Sequence, residues 1–260
     1  MTGPVVPRVI RSHANPQVKA WRQLVQTHDA YRRQSRIWVE GDHLCRAALA
    51  RGWKPLQAVF AESFWLATPP DLRDAAADTV LVSDALMATI SGLKSPAPMA
   101  FVLAWPEQPT IQPGVASVVL DRIQDAGNVG SILRSAAAFG FKQVLALAGT
   151  AALGSPKVLR AGMGAHFGLH LVEGLGAVDL SVLSVPLLST SSHRGALLHE
   201  AALPWPCAWI LGNEGQGVAA ELMARTAQVV RIAQPGGEES LNVAAAAAIC
   251  LHASAAAHGS

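Results

Sequence analysis

From Ser117 onward, short apolar runs alternate with stretches of helical periodicity, and this alternation constrains the fold more than any other feature. Residues 117–120, 143–147, 182–188, 208–211 and 229–232 read as strands. Helices are expected over 131–139, 157–167, 196–201, 219–226 and 241–257. Strands joined through helices run parallel, because the crossover carries the chain back to where the first strand began. Such a sheet is covered on both faces. The expected fold class is therefore α/β with a mostly parallel sheet.

The preceding part has a different character. Val18, Trp21, Leu24 and Val25 recur at spacings of three and four after Asn15-Pro16, which predicts a capped helix over 16–36. Short strands are expected at 38–39, 58–60, 79–82 and 101–103, with helices at 41–51 and within 71–93. Pro96, Pro98, Pro106, Pro109 and Pro113 then interrupt both periodicities. The expected division is a small α/β domain over 1–105, a linker over 106–114 and a second domain over 115–260.

Composition removes several function classes. With 51% hydrophobic and 15% charged residues the chain is no disordered tail, and a net charge of +2 excludes binding to nucleic acid by bulk charge alone. No apolar run approaches the ~18–20 residues that cross a bilayer, so no membrane association is expected. The start lacks a basic region followed by an apolar stretch, and no secretory leader is expected. Cys45, Cys207 and Cys250 are odd in number and widely spaced, which points away from a disulfide framework or structural zinc and toward a reduced, cytoplasmic compartment.

The small net charge conceals an asymmetry. Residues 1–60 hold ten Lys or Arg and three acids, a local +7 that leaves −5 for the rest. A basic segment on a mildly acidic body suggests a surface that meets a polyanion. Trp21, Trp38, Trp53, Trp65 and Trp105 lie in the first part. Tryptophans interleaved with Arg can stack on bases, although they more often fill a core.

Three glycine-bearing turns carry the chemistry. The first, Asn128-Val129-Gly130-Ser131-Ile132-Leu133-Arg134, follows a strand and opens a helix, where backbone N–H groups can face an anion. It lacks GxGxxG, and no acidic residue ends the next strand, so a dinucleotide site ranks low. The second, Leu211-Gly212-Asn213-Glu214-Gly215-Gln216-Gly217, puts three glycines after an apolar strand, a pattern for close backbone approach. In the third, Ile232-Ala233-Gln234-Pro235-Gly236-Gly237-Glu238-Glu239-Ser240-Leu241-Asn242-Val243, Ser240 and Asn242 stand at a helix entrance that either could cap.

Together and in this order, the turns resemble the three motifs of the SpoU (TrmH) family of RNA ribose 2′-O-methyltransferases, within the SPOUT superfamily. N-x-G-x-x-x-R appears as Asn128, Gly130 and Arg134. G-x-E-G-x-G appears as Gly212, Glu214, Gly215 and Gly217, and S-L-N-V as Ser240, Leu241, Asn242 and Val243. Residues 157–165 resemble the family's middle helix, with Gly162 where a serine is common. The first part is similar to the family's substrate-binding domain, which has a ribosomal-protein-like α/β fold.

The resemblance implies a trefoil-knotted catalytic domain that binds S-adenosyl-L-methionine through backbone, with Gly212, Ile232 and Leu241 at the cofactor positions. It implies a homodimer with the active site near the subunit interface, and an RNA substrate, ribosomal or transfer, with rRNA favoured by the separate RNA-binding domain. Arg134 matches the catalytic arginine. Asn128 and Glu214 are expected to orient Arg134 and the ribose, and Ser240 and Asn242 to shape the knot loop and contact substrate or cofactor. The rival readings are a non-catalytic RNA-binding protein on the same scaffold and a metal hydrolase resting on His166 and His170. The second lacks HExxH and a carboxylate triad, so no metal is expected.

Overall fold

The computed structural model describes residues 6–107, 109–191, 194–236 and 240–258. The chain divides into two compact units, Met1–Glu107 with Gly154–Phe167, and Gln108–Leu153 with Gly168–Ser260.

The first unit is built on strands β1 (Arg8–Ile10), β2 (Arg36–Glu40), β3 (Gln57–Ala61), β4 (Thr79–Val82) and β5 (Met99–Ala104), in the order β1-β4-β3-β5-β2. β1, β4 and β3 run parallel, while β5 is antiparallel to both β3 and β2. Helices α1 (Pro16–Gln26), α2 (Ala30–Gln34), α3 (Asp42–Ala50), α4 (Glu62–Trp65), α5 (Pro70–Arg73) and α6 (Asp84–Ile90) surround the sheet in sequence. The helix expected over 16–36 is two helices. Asn15 caps α1 by accepting from Gln17 N–H, and Thr27 ends it in an extended conformation. The apolar stripe stops at Val25, so nothing holds Thr27-His28-Asp29 helical against its weak propensity.

The tryptophans are structural. Trp21 and Trp38 are buried with ring centroids 5.9 Å apart, and Trp21 Nε1 donates to Gln57 Oε1 at 3.1 Å. Trp65 packs on Phe60, Trp105 on Tyr31 and Trp53 on Phe167. Trp53 also donates to the Phe167 carbonyl at 3.1 Å, one of the contacts that group residues 154–167 with this unit.

That stretch departs from the continuous second domain read from the sequence. It also departs from the single helix expected over 157–167. Helix α8 (Pro156–Gly162) ends as Met163 turns left-handed, and a 3₁₀ turn follows at Ala165–Gly168. A Cβ at Gly162 would lie 2.4 Å from the His166 imidazole, so the ring occupies the space a serine side chain needs there.

The second unit carries seven strands: β6 (Ser117–Leu120), β7 (Gln143–Leu147), β8 (His170–Leu175), β9 (Leu187–Thr190), β10 (Ala196–Leu197), β11 (Ala208–Leu211) and β12 (Gln228–Arg231). Their order is β10-β12-β9-β11-β6-β7-β8 and every pairing is parallel, as the alternation required. Val119, Leu145, Val172, Leu187, Ile210 and Leu222 form a core cluster. Helices α7 (Ala126–Ala138) and α10 (Val243–His258) pack against each other, and α9 (Ala220–Met223) is short. Trp209 is fully buried and donates to Ser254 Oγ of α10 at 2.9 Å.

Two local expectations are corrected here. Residues 177–182 form a 3₁₀ turn, and the strand expected over 182–188 runs Leu187–Thr190, because Pro186 delays ladder pairing. The helix expected over 196–201 is the edge strand β10, whose backbone pairs with β12. Strands β1 and β8 lie outside the expected strands: β1 has only three residues, and His170, Glu173 and Gly174 break the apolar pattern of β8. Among the described residues no helix is long and apolar enough to cross a membrane.

Candidate active site

All seven strands of the second unit point the same way, so their carboxyl ends gather on one edge, where open parallel sheets bind ligands. β11 and β6 are neighbours there, which brings the turns after Leu120 and Leu211 together.

The first turn is less of a loop than the sequence suggested. Asp125 caps α7 by accepting from Asn128 N–H at 2.7 Å, so the helix starts at Ala126 and not at Ser131. This places Asn128 in the first turn of the helix. Arg134 then lies about 12 Å along the axis from the helix start, at 1.5 Å per residue. It shares an exposed stripe with Gly127, Ser131 and Ala138. It lies six positions beyond Asn128, whereas neighbours on a helix surface are three or four positions apart. Among the described residues no side chain pairs with its guanidinium.

The second turn closes on itself. Asn213 and Gly217 exchange backbone hydrogen bonds at 3.1 and 2.8 Å, and Asn213 Oδ1 accepts from Gly215 and Gln216 N–H at 3.0 Å each. Gly212 is required here. A Cβ would lie 2.2 Å from Gly217 C and Val218 N, and both are backbone atoms that cannot swing aside. Glu214 at the tip reaches back to the first turn. Its Oε1 accepts from Asp125 N–H at 3.2 Å and Asn128 Nδ2 at 3.1 Å, and its Oε2 accepts from Gln124 N–H at 3.3 Å.

The third turn joins the same chain. Asn242 Oδ1 accepts from Ala244 and Ala245 N–H at 2.9 and 3.2 Å, capping α10, and Asn242 Nδ2 donates to Asn128 Oδ1 at 2.9 Å. Both ends fix the direction of this relay. Helix N–H groups only donate and an ionised carboxylate only accepts, so each amide can take one orientation alone. The order runs from the α10 N-terminus through Asn242 and Asn128 to Glu214. Partial burial pushes the Glu214 carboxyl up, but hydrogen bonds from Asn128 and from backbone N–H groups outweigh it and hold the group below its ordinary value.

The structure thus brings together three of the expected residues, Asn128, Glu214 and Asn242. It does not join Arg134 to them. Ser240 is exposed, and Asn242 supplies the cap that either residue could have made. Of the expected cofactor positions, Leu241 is 38% exposed, while Ile232 lines a groove of about 560 Å³ with Leu198, Ala248, Ile249 and His252. Gly212 and Leu241 do not line that groove. Gly237, Glu238 and Glu239 of the third turn lie outside the described residues. His166 is on the 3₁₀ turn and His170 on β8, so the two never share a helix face. Burial pushes the Cys207 thiol up to about 11 and Cys250 up to about 12, well away from a reactive thiolate.

Two contributors were missed in the sequence. Asp125 could have been read as an N-cap three residues ahead of Asn128. Asp121-Arg122, an acid and a base directly after an apolar strand, gave no signal beyond their position.

The family model described as the SpoU rRNA methylase family matches residues 116–252, more than half of the chain and all three turns. The chain belongs to this family. A second model, the MRM3-like substrate binding domain, matches residues 15–100, ahead of the SpoU region. Among SpoU relatives, the Bacillus subtilis 23S rRNA (guanosine(2553)-2′-O)-methyltransferase RlmP is 31% identical, over 94% of this chain and 97% of the relative. A crystal structure of an AdoMet-bound rRNA methyltransferase from Sinorhizobium meliloti superposes with a TM-score of 0.82 at 26% identity, covering 97% of this chain and 99% of the other. A crystal structure of an RNA 2′-O ribose methyltransferase gives 0.77 at 30% identity, covering 96% and 98%.

Proposed function

We propose that this chain transfers a methyl group from S-adenosylmethionine to a ribose 2′-hydroxyl of ribosomal RNA. The observation that carries the reading is the relay Asn242–Asn128–Glu214, which ties the three family turns into one polar centre. The residues suit a nucleoside cofactor. The second turn offers exposed backbone groups, and Ile232 and Leu241 each present partly exposed apolar surface. When bound, S-adenosylmethionine supplies an electrophilic methyl on sulfonium.

Glu214 is a weak general base, since its oxygens already accept three hydrogen bonds and its pKa is lowered. It orients Asn128 instead. The Arg134 guanidinium offers five N–H donors and no acceptor, so it has no site to take the 2′-hydroxyl proton. It is suited to grip an RNA phosphate bidentately and so favour ionisation of the neighbouring 2′-hydroxyl, with phosphate or water taking the proton. Ser240 and Leu241, exposed beside Asn242, contact cofactor or substrate.

The finer assembly is also proposed. A homodimer with its site near the subunit interface is supported by Arg134, which is exposed and makes no bond to its own chain's relay among the described residues. A trefoil knot is supported by the return of Asn242 onto Asn128 from 114 residues away. The reading of residues 1–105 as the RNA-docking domain, joined by 106–114 to a catalytic domain over 115–260, is supported by Lys19, Arg36, Arg51 and Lys54. These are exposed and have no ion pair among the described residues. A reduced cytoplasmic setting fits the three free, buried cysteines.

The test is methyl transfer to unmodified ribosomal and transfer RNA, with the product mapped by ribose-methylation sequencing. Label on an rRNA 2′-oxygen is expected. Arg134→Ala should cut turnover on the order of 10²–10³-fold while cofactor affinity, measured by calorimetry, is kept. Retained turnover in that variant sinks the role of Arg134, and transfer to tRNA alone overturns the substrate.

A further inference from the structure

Two positions of the second turn, Asn213 and Gln216, stand between the family's fixed residues, and both reach Arg122. Asn213 Nδ2 donates to the Arg122 carbonyl at 2.8 Å, and Gln216 Oε1 accepts from Arg122 Nη1 at 2.9 Å. Arg122 is left-handed, with φ +58°, directly after β6. Its Nε and Nη2 donate to Asp121 at 2.7 and 3.2 Å. The Asp121 side chain is 2% exposed, and its Oδ2 also accepts from Ala219 N–H at 2.7 Å. One buried carboxylate therefore holds the chain just past the second turn directly, and the middle of the turn through Arg122 and Gln216.

The bonds that place Glu214 are 3.1 to 3.3 Å, long for hydrogen bonds to a carboxylate, where ~2.7–2.9 Å is usual. In the tie, Arg122 Nε to Asp121 and Arg122 Nη1 to Gln216 are shorter, at 2.7 and 2.9 Å, beside a second Arg122–Asp121 bond at 3.2 Å. A turn with glycines at 212, 215 and 217 has many backbone states to explore when released.

We infer that Arg122 and Gln216 are positioning residues of the active site: the Asp121–Arg122–Gln216 tie fixes where Glu214 meets Asn128, and so sets turnover without touching the reactants. The inference rests on the methyl-transfer reading. A misplacement of about 1 Å in such a site costs on the order of 10²-fold in rate, so a loosened turn registers first in kcat.

Replacing Arg122 strips the partner from a buried carboxylate and can unfold the chain. The decisive variant is Gln216→Ala, at an exposed residue whose loss leaves the Asp121–Arg122 pair intact. Its kcat should fall about tenfold with KM for RNA unchanged, short of the ~10²-fold loss of a full misplacement. Tm should match the wild type. Amide exchange at Gln124 and Asp125, whose N–H groups bond to Glu214, should quicken several-fold. Gln216→Glu, with a carboxylate for Arg122 to donate to, should restore both readouts. Wild-type exchange in Gln216→Ala overturns the inference, whatever happens to kcat. Faster exchange with wild-type kcat overturns it too. If the wild-type protein transfers no methyl group, the functional reading falls, and the exchange rates still decide whether the tie holds Glu214.

Discussion

The two units handle polar groups in opposite ways. In the first, charges pair off locally on the surface: Arg8 with Asp78, Arg33 with Asp29, Arg46 with Asp42 and Asp71. Arg33–Asp29 is a simple pair, while Arg46 bridges two acids and Arg8–Asp78 continues through Gln57 to Trp21, and the excess of base over acid is left spread over exposed Lys and Arg. In the second, side-chain amides run in series between a helix N-terminus and one carboxylate, with buried Asp121 paired to partly exposed Arg122 beside them. Independent surface pairs tolerate loss one at a time, whereas a chain with fixed donors and acceptors fails as a unit. The first arrangement attracts a polyanion without choosing its geometry. The second fixes geometry with almost no net charge.

Substitutions ranked by expected effect probe this contrast. Gly212→Ala should be the most damaging, since its Cβ would sit 2.2 Å from backbone. A loss of about 3 kcal/mol or more is expected from chemical denaturation, with activity abolished. Wild-type stability would show that the second turn opens freely.

Asn128→Asp sets a second carboxylate against Glu214. Like charges raise one pKa of such a pair. Turnover should drop on the order of tenfold at neutral pH and recover in part as the pH falls toward ~5, where one carboxylate takes up a proton. The wild type should show the reverse. With its folded pKa lowered, Glu214 contributes stability above the ordinary carboxylate value, and that contribution disappears as the pH falls through the folded value. A pH–rate profile of both proteins checks the sign.

Ser254→Ala leaves the Trp209 indole N–H buried without its acceptor and should cost about 1–3 kcal/mol of unfolding free energy. The first unit should respond least. Arg8→Gln, at a half-exposed pair, is expected to cost below about 1 kcal/mol. Replacing Lys19, Arg36, Arg51 and Lys54 together by Gln should leave Tm unchanged while lowering the salt slope of RNA binding by up to ~3. An unchanged slope would remove the first unit from RNA docking and end the comparison as a functional one.

The parallel sheet of the second unit was legible because period and punctuation are local: apolar runs at 117–120, 143–147 and 208–211 became β6, β7 and β11 within a residue. The edges were not. β1, β8 and β10 owe their conformation to a neighbour's backbone, and a short or irregular segment carries no trace of that neighbour. The same holds at the site. Asn128, Glu214 and Asn242 could be picked from turn chemistry and family resemblance, and Asp125 from its capping position, but Asp121, Arg122 and Gln216 look in sequence like ordinary surface residues.

Residue order by itself determined the class of fold, the three turns, the family they resemble and the basic first segment, because each depends on residues close together in the chain. Tertiary structure alone decided that Asn242, Asn128 and Glu214 form one directed relay, that Arg134 stands apart from it, and that Arg122 ties the second turn to a buried acid. Those bonds join groups 86 to 114 residues apart. They exist because strand order sets β11 beside β6 and returns the start of α10 to the start of α7, an arrangement that no local pattern encodes.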